Sequence, residues 1–152
     1  MSSRVSFAVA FLLLVAACPA CWAGPDDKLV DSQSIAALQA RINQAQPREQ
    51  CYLYAELLHQ MTEFSMRQYA MGNTDKANEL LKQIQDISRK VHMAVADNDK
   101  RLKNAEILLR RAAFRLNEML HASSYEDRPL VQETLAQVSR AEHEAMLEVF
   151  KK

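Results

Sequence analysis

Glycine is nearly absent from this sequence, with 2 in 152 residues, and proline and cysteine are scarce at 4 and 3. Phosphate-cradling loops and strained nucleophile turns are built on glycine, so neither motif can be drawn from this chain. No charge sign dominates either, since 19 basic residues stand against 19 acidic ones. A balanced surface gives no long-range attraction to nucleic acid or to anionic membranes. Long apolar runs are missing as well. The longest lies in Val5–Ala17, 13 residues broken only by Ser6, short of the ~20 that a spanning helix needs.

That run has another reading. Met1–Arg4 form a short positive segment, the apolar stretch follows, and small residues lead to Ala23, Gly24 and Pro25. This is the layout of a secretory signal peptide over residues 1–23, with Cys21 and Ala23 at the two positions that must be small. Val15-Ala16-Ala17-Cys18 offers an alternative lipoprotein cut, in which Cys18 carries the lipid and anchors the protein to a membrane. Pro19 directly after the cysteine argues against it. Cleavage after Ala23 removes one cation, Arg4, leaving 18 basic and 19 acidic residues and a net charge of −1. It also leaves Cys51 as the sole cysteine, so no internal disulfide can staple the mature fold. Core packing must hold it.

The rest of the chain is rich in Ala, Leu, Gln, Glu, Lys and Arg, a helical composition. Residues 24–31 are polar and acidic and read as a disordered leader. Residues 32–152 read as one all-α domain, an antiparallel helical hairpin or small bundle. Ile35, Leu38 and Ile42 lay an apolar stripe along a first helix, about 32–46. Pro47 opens a second, and Gly72 closes it near Met71. Cys51, Tyr54, Leu58, Met61, Ser65 and Gln68 or Tyr69 trace its inner face. Asn73-Thr74-Asp75 supply capping oxygens for the next helix.

From Ile84 the seam continues through Ile87, Val91, Ala94, Asn98, Leu102, Ala105, Leu109, Ala112, Leu116 and Met119. Steps of three and four persist, with one stutter at Asn98. With no Gly or Pro between Gly72 and Pro129, this predicts one helix over about 75–122, roughly 70 Å long. A turn at Ala96–Asp99 is the alternative. A long helix flanked by shorter ones would leave part of its seam uncovered as a partner site. Pro129 opens a final helix to about Phe150, whose stripe is Val131, Leu135, Val138, Ala145 and Val149, with Met146 and Phe150 beside it.

Two Glu-x-x-His motifs, Glu56/His59 and Glu118/His121, put a carboxylate and an imidazole on one helix face. This resembles di-iron carboxylate bundles, and the resemblance would make Glu79 and Glu133 or Glu142 the bridging ligands. The residues themselves favour a plainer reading. Both motifs fall off the apolar seams, and Glu–His pairs at this spacing are ordinary surface ion pairs. Glu142-His143-Glu144 lacks the second histidine of a zinc hydrolase and reads as a charged outer face. His92 reads as a boundary residue. Cys51 on the apolar stripe reads as an inert buried thiol, and the methionines as core filling. Lys100, Arg101, Lys103, Arg110, Arg111 and Arg115 read as a solvated face, with an acidic partner or lipid headgroups as the alternative.

The turn Tyr69–Ala77 looks like that of a tetratricopeptide repeat, but no second copy appears. Through Tyr52–Leu57 and Lys100–Glu106 the chain resembles exported bacterial helical proteins that carry no assigned function. Periplasmic stress chaperones share the general build, although their Leu-Thr-x-x-Gln motif is missing. The reading is therefore an exported, non-enzymatic interaction or structural protein of the cell envelope, periplasmic or lipid-anchored through Cys18. Its partner is a protein or a second copy of itself, it takes no nucleic acid, and it needs no cofactor. A metal-binding bundle is the rival.

Overall fold

The computed structural model describes residues 30–95 and 101–151. The proposed signal peptide, Cys18 and most of the leader lie outside them. Five helices are present, α1 (Ser32–Gln44), α2 (Pro47–Ala70), α3 (Thr74–Val95), α4 (Leu102–Ala122) and α5 (Arg128–Phe150), and no strand occurs among the described residues. The all-α bundle read from composition and periodicity is what forms.

Local sequence sets most of the helix ends. Asp31 and Ser34 make a reciprocal capping box at the start of α1, with the Asp31 carboxylate accepting from the Ser34 N–H at 2.7 Å. Val30 and Asp31, the last two residues of the stretch read as leader, thus belong to the folded bundle. Val30 packs against the core, and its carbonyl accepts from Arg67. At the far end of α2, Gly72 takes φ +82°. The Asn73 and Gly72 N–H groups then return to the Gln68 and Tyr69 carbonyls at 2.9 and 3.0 Å, the paired bonds of a Schellman turn. Asn73 spends its side-chain amide on Gln68 Oε1. Its backbone carbonyl accepts from Ala77 at the start of α3.

The helix expected over 75–122 is two helices. α3 ends at Val95 and α4 begins at Leu102, and Asn98, the stutter, lies outside the described residues. The chain folds back between them. Glu63 lies level with Arg115 and Tyr69 with Ser124, so α2 and α4 run parallel. Asn78 meets Asp127 through the Ser124–Asp127 corner, Gln85 meets Thr134, and His92 meets Glu144, so α3 and α5 run parallel too. α2 packs on α3 and α4, and α5 on the same two. Two antiparallel hairpins therefore stack side by side, with α2 diagonal to α5 and α3 diagonal to α4. α1 lies along α2.

Folding back also removes the uncovered seam. Every described seam position from Ile84 to Met119 is buried. A continuous helix would keep α2 and α5 from packing on both α3 and α4 and would leave part of that surface in water, at a cost of about 25 cal/mol per Å² of apolar area. The three-and-four spacing is identical in one helix or two, so periodicity alone cannot choose between them.

α2 is buried over a wider arc than a single stripe. Leu53, Ala55, Leu57, Thr62 and Phe64 join Cys51, Leu58, Met61, Ser65 and Gln68, while Tyr54 and Tyr69 are only half-buried. Three neighbouring helices account for this. In α5, Thr134 and Ala141 are buried with Val131, Val138 and Ala145, whereas Phe150 is exposed. The buried hydroxyls spend themselves on their own helices or across the hairpin: Thr62 donates to the Leu58 carbonyl at 2.9 Å and Ser65 to the Ala77 carbonyl at 3.1 Å. No described helix is long and apolar enough to cross a membrane.

Candidate functional site: a cationic groove between α2 and α4

Arg111, Phe114 and Arg115 share one face of α4, because residues three and four apart lie one above the other. The parallel packing of α2 beside α4 sets them opposite His59 and Glu63. Together with Arg110 these residues line an open groove of about 380 Å³ whose wall is largely apolar. Phe114 stands 62% exposed in it.

The charges are unequally committed. Arg115 makes a two-pronged pair with Glu63, 2.8 Å from Nε and 3.1 Å from Nη2, and also meets Glu118. These carboxylates push its already high pKa further up. Arg110 pairs with Glu106, a carboxylate buried in α4, and reaches to 3.8 Å of Glu142 on α5. Arg111 is exposed and makes no ion pair among the described residues. His59 supplies a neutral floor. Burial is the main cause pushing its pKa down; Arg111 and Arg115 add to this and Glu63 opposes it. Its Nδ1 is buried with no hydrogen-bond partner.

The two Glu-x-x-His motifs do not meet. With Glu63 level with Arg115, His59 falls level with Arg111. His121 lies ten residues further along α4, about 15 Å at 1.5 Å per residue. His121 is exposed, Glu56 is half-buried, and Glu118 is held by Arg115. The proposed bridging carboxylates are dispersed as well. Glu79 and Glu133 are exposed and accept from Gln83 and Gln137 on their own helices, and Glu142 faces Arg110. Among the described residues no three or more potential metal-ligating side chains of His, Cys, Asp or Glu group together.

Other candidates settle into the bundle. Cys51 is fully buried. His92 pairs with Glu144 across α3 and α5, beside a second groove whose Arg89 is paired to Asp86. Met61 and Met119 fill the core as expected, whereas Met71 and Met93 are exposed. Of the basic run, Arg101 lies over the Tyr52 ring, its guanidinium carbon 3.4 Å from the centroid. Lys103 is exposed, and Lys100 lies outside the described residues.

Sequence reasoning missed Phe114 and Glu106. The cue for the first was present, an aromatic interleaved with Arg110, Arg111 and Arg115, but it looks like any solvated helix face until α2 is placed beside it. Glu106 lies four residues after Leu102 and three before Leu109, beside the seam, but a carboxylate there reads as a surface group until α5 brings Glu142 against it. Comparison with protein-family models, with curated proteins and with solved structures finds no match to this chain.

Proposed function

We propose that this is an exported, non-enzymatic helical module of the cell envelope that works by docking another protein in the groove between α2 and α4. One observation carries the reading: Phe114 is held out in solvent between Arg111 and Arg115, in a groove that half-buried His59 also lines. Tyr125, Phe150, Met93 and Met71 are at least as exposed as Phe114, and what singles Phe114 out is its place in a concave groove beside three arginines. Aromatic and arginine side chains are also the types that anchor protein interfaces. Export rests on the signal-peptide layout of residues 1–23, and lipid anchoring through Cys18 stays the variant of that layout.

The test places a photo-crosslinking phenylalanine analogue at position 114 in living cells, and at exposed Gln132 on α5 as the control. A discrete adduct at 114 and none at 132 supports the reading. Equal labelling at both positions, or none at 114, removes it. Sedimentation of the purified protein distinguishes a foreign partner from a second copy, because a self-paired dimer falls apart in F114A.

A further inference from the structure

We infer that the groove takes an acidic segment of a partner protein in which an apolar side chain neighbours a carboxylate, the apolar group covering Phe114 and the carboxylate pairing with Arg111. The inference rests on the docking reading and adds the partner's chemistry.

Charge complementarity selects the occupant. Of the six lining side chains, Arg110, Arg111 and Arg115 are cationic, Glu63 is anionic, and His59 is neutral. Glu63 is already consumed by Arg115, which it grips at both oxygens. Arg110 is consumed by Glu106. Among the described residues of the groove, Arg111 alone keeps its guanidinium uncompensated, three residues from exposed Phe114 on the same helical face. A basic segment would meet this cation with no free carboxylate to answer it. A purely apolar segment would bury the Arg111 stem and leave its charge in a drier environment, which is unfavourable. A carboxylate beside an apolar group satisfies both, and arginine can hold it through two parallel hydrogen bonds.

A lipid surface fits less well. With Glu63 and Glu118 both paired to Arg115, the groove offers an anionic bilayer a single free guanidinium among the described residues, whereas adsorption to such a surface draws on a cluster of several cations. The groove between two parallel helices also suits one extended or helical segment better than a plane.

The probe is a fluorescein-labelled peptide of alternating Asp, Glu, Leu and Phe, with a counterpart in which every acidic residue is Lys. Binding to the full mature chain is read by anisotropy, beside flotation with vesicles containing phosphatidylglycerol. The acidic peptide should bind, and the lysine peptide should not. R111E should weaken binding by about tenfold or more, and F114A by a similar factor, while R111K keeps much of the charge and loses the fork. Arg111 and Phe114 are both exposed, so circular dichroism should show each variant folded. Equal binding of both peptides, no effect of R111E, or capture by vesicles in preference to the acidic peptide overturns the inference. A crosslinked partner at position 114 whose contacting segment is basic would keep the docking reading and sink this one.

Discussion

Asp127 ties the two hairpins together, and removing its carboxylate should cost the bundle more than an exposed aspartate ordinarily would. The side chain sits where the α4–α5 connection meets the α2–α3 end of the molecule. It accepts from Asn78 Nδ2 at 2.7 Å, Ser124 Oγ at 2.7 Å and the Tyr69 hydroxyl at 3.2 Å. The Tyr69 oxygen in turn accepts from the Ser124 N–H at 2.8 Å. Three bonds at about 1 kcal/mol each would give about 3 kcal/mol. The residue is half-buried, so water replaces part of each bond, and we expect D127A to lose about 1–2 kcal/mol. For an ordered domain of this length that is a fall of about 4–8 °C in Tm. Asn78 supplies the sharper readout. Its Oδ1 is already buried without a partner, so D127A strips its remaining bond to Asp127 and N78A in that background should cost little more. A double-mutant cycle by urea denaturation should therefore show clear coupling. The pH dependence has a fixed sign. The bonds from Asn78 first, then Ser124 and Tyr69, hold the Asp127 pKa below its ordinary value against a small opposing effect of burial. Its contribution is thus complete above the ordinary aspartate range and is lost as the pH falls through the depressed value of the folded state. The gap between wild type and D127A should close in acid and stay open at neutral pH. Additive single effects, or a gap that widens on acidification, would refute the clamp.

The same packing leads to three more expected outcomes. Leu109 is fully buried in the centre of α4, so L109A should cost about 2–5 kcal/mol in chemical denaturation; a loss below about 1 kcal/mol would mean that the core is not packed as described. Gly72→Ala meets nothing within 4 Å of the added Cβ, so its penalty is purely that of a left-handed alanine, about 1 kcal/mol in a thermal melt. Burial, then the neighbouring Glu106 carboxylate, raises the Glu142 pKa against the pull of Arg110. Stability from that site is present in acid and lost as the pH rises through the raised value, so E142Q should flatten the decline of the urea midpoint between acid and neutral pH, and parallel profiles would contradict it.

Three-and-four spacing is a property of one helix and its nearest face, and it was legible in the chain without help. It named Ile35, Leu38 and Ile42, the seam from Ile84 to Met119, and Val131, Leu135, Val138, Ala145 and Val149 as inward-facing; of those described, all are buried except Leu135 and Val149, which are half-buried against the core. Gly72 and Pro47 marked their helix boundaries for local reasons of backbone conformation. What the spacing could not reveal is which helices become neighbours. The reversal between Val95 and Leu102, the broad burial of α2 under three neighbours, and the sinking of Glu106 beneath α5 are contacts between segments far apart in sequence. The groove belongs to the same class. His59 and Glu63 lie some fifty residues before Arg111, Phe114 and Arg115, and only the parallel alignment of α2 with α4 makes them one surface. The same alignment sets the two Glu-x-x-His motifs about 15 Å apart along the bundle, a separation that no reading of either motif alone contains.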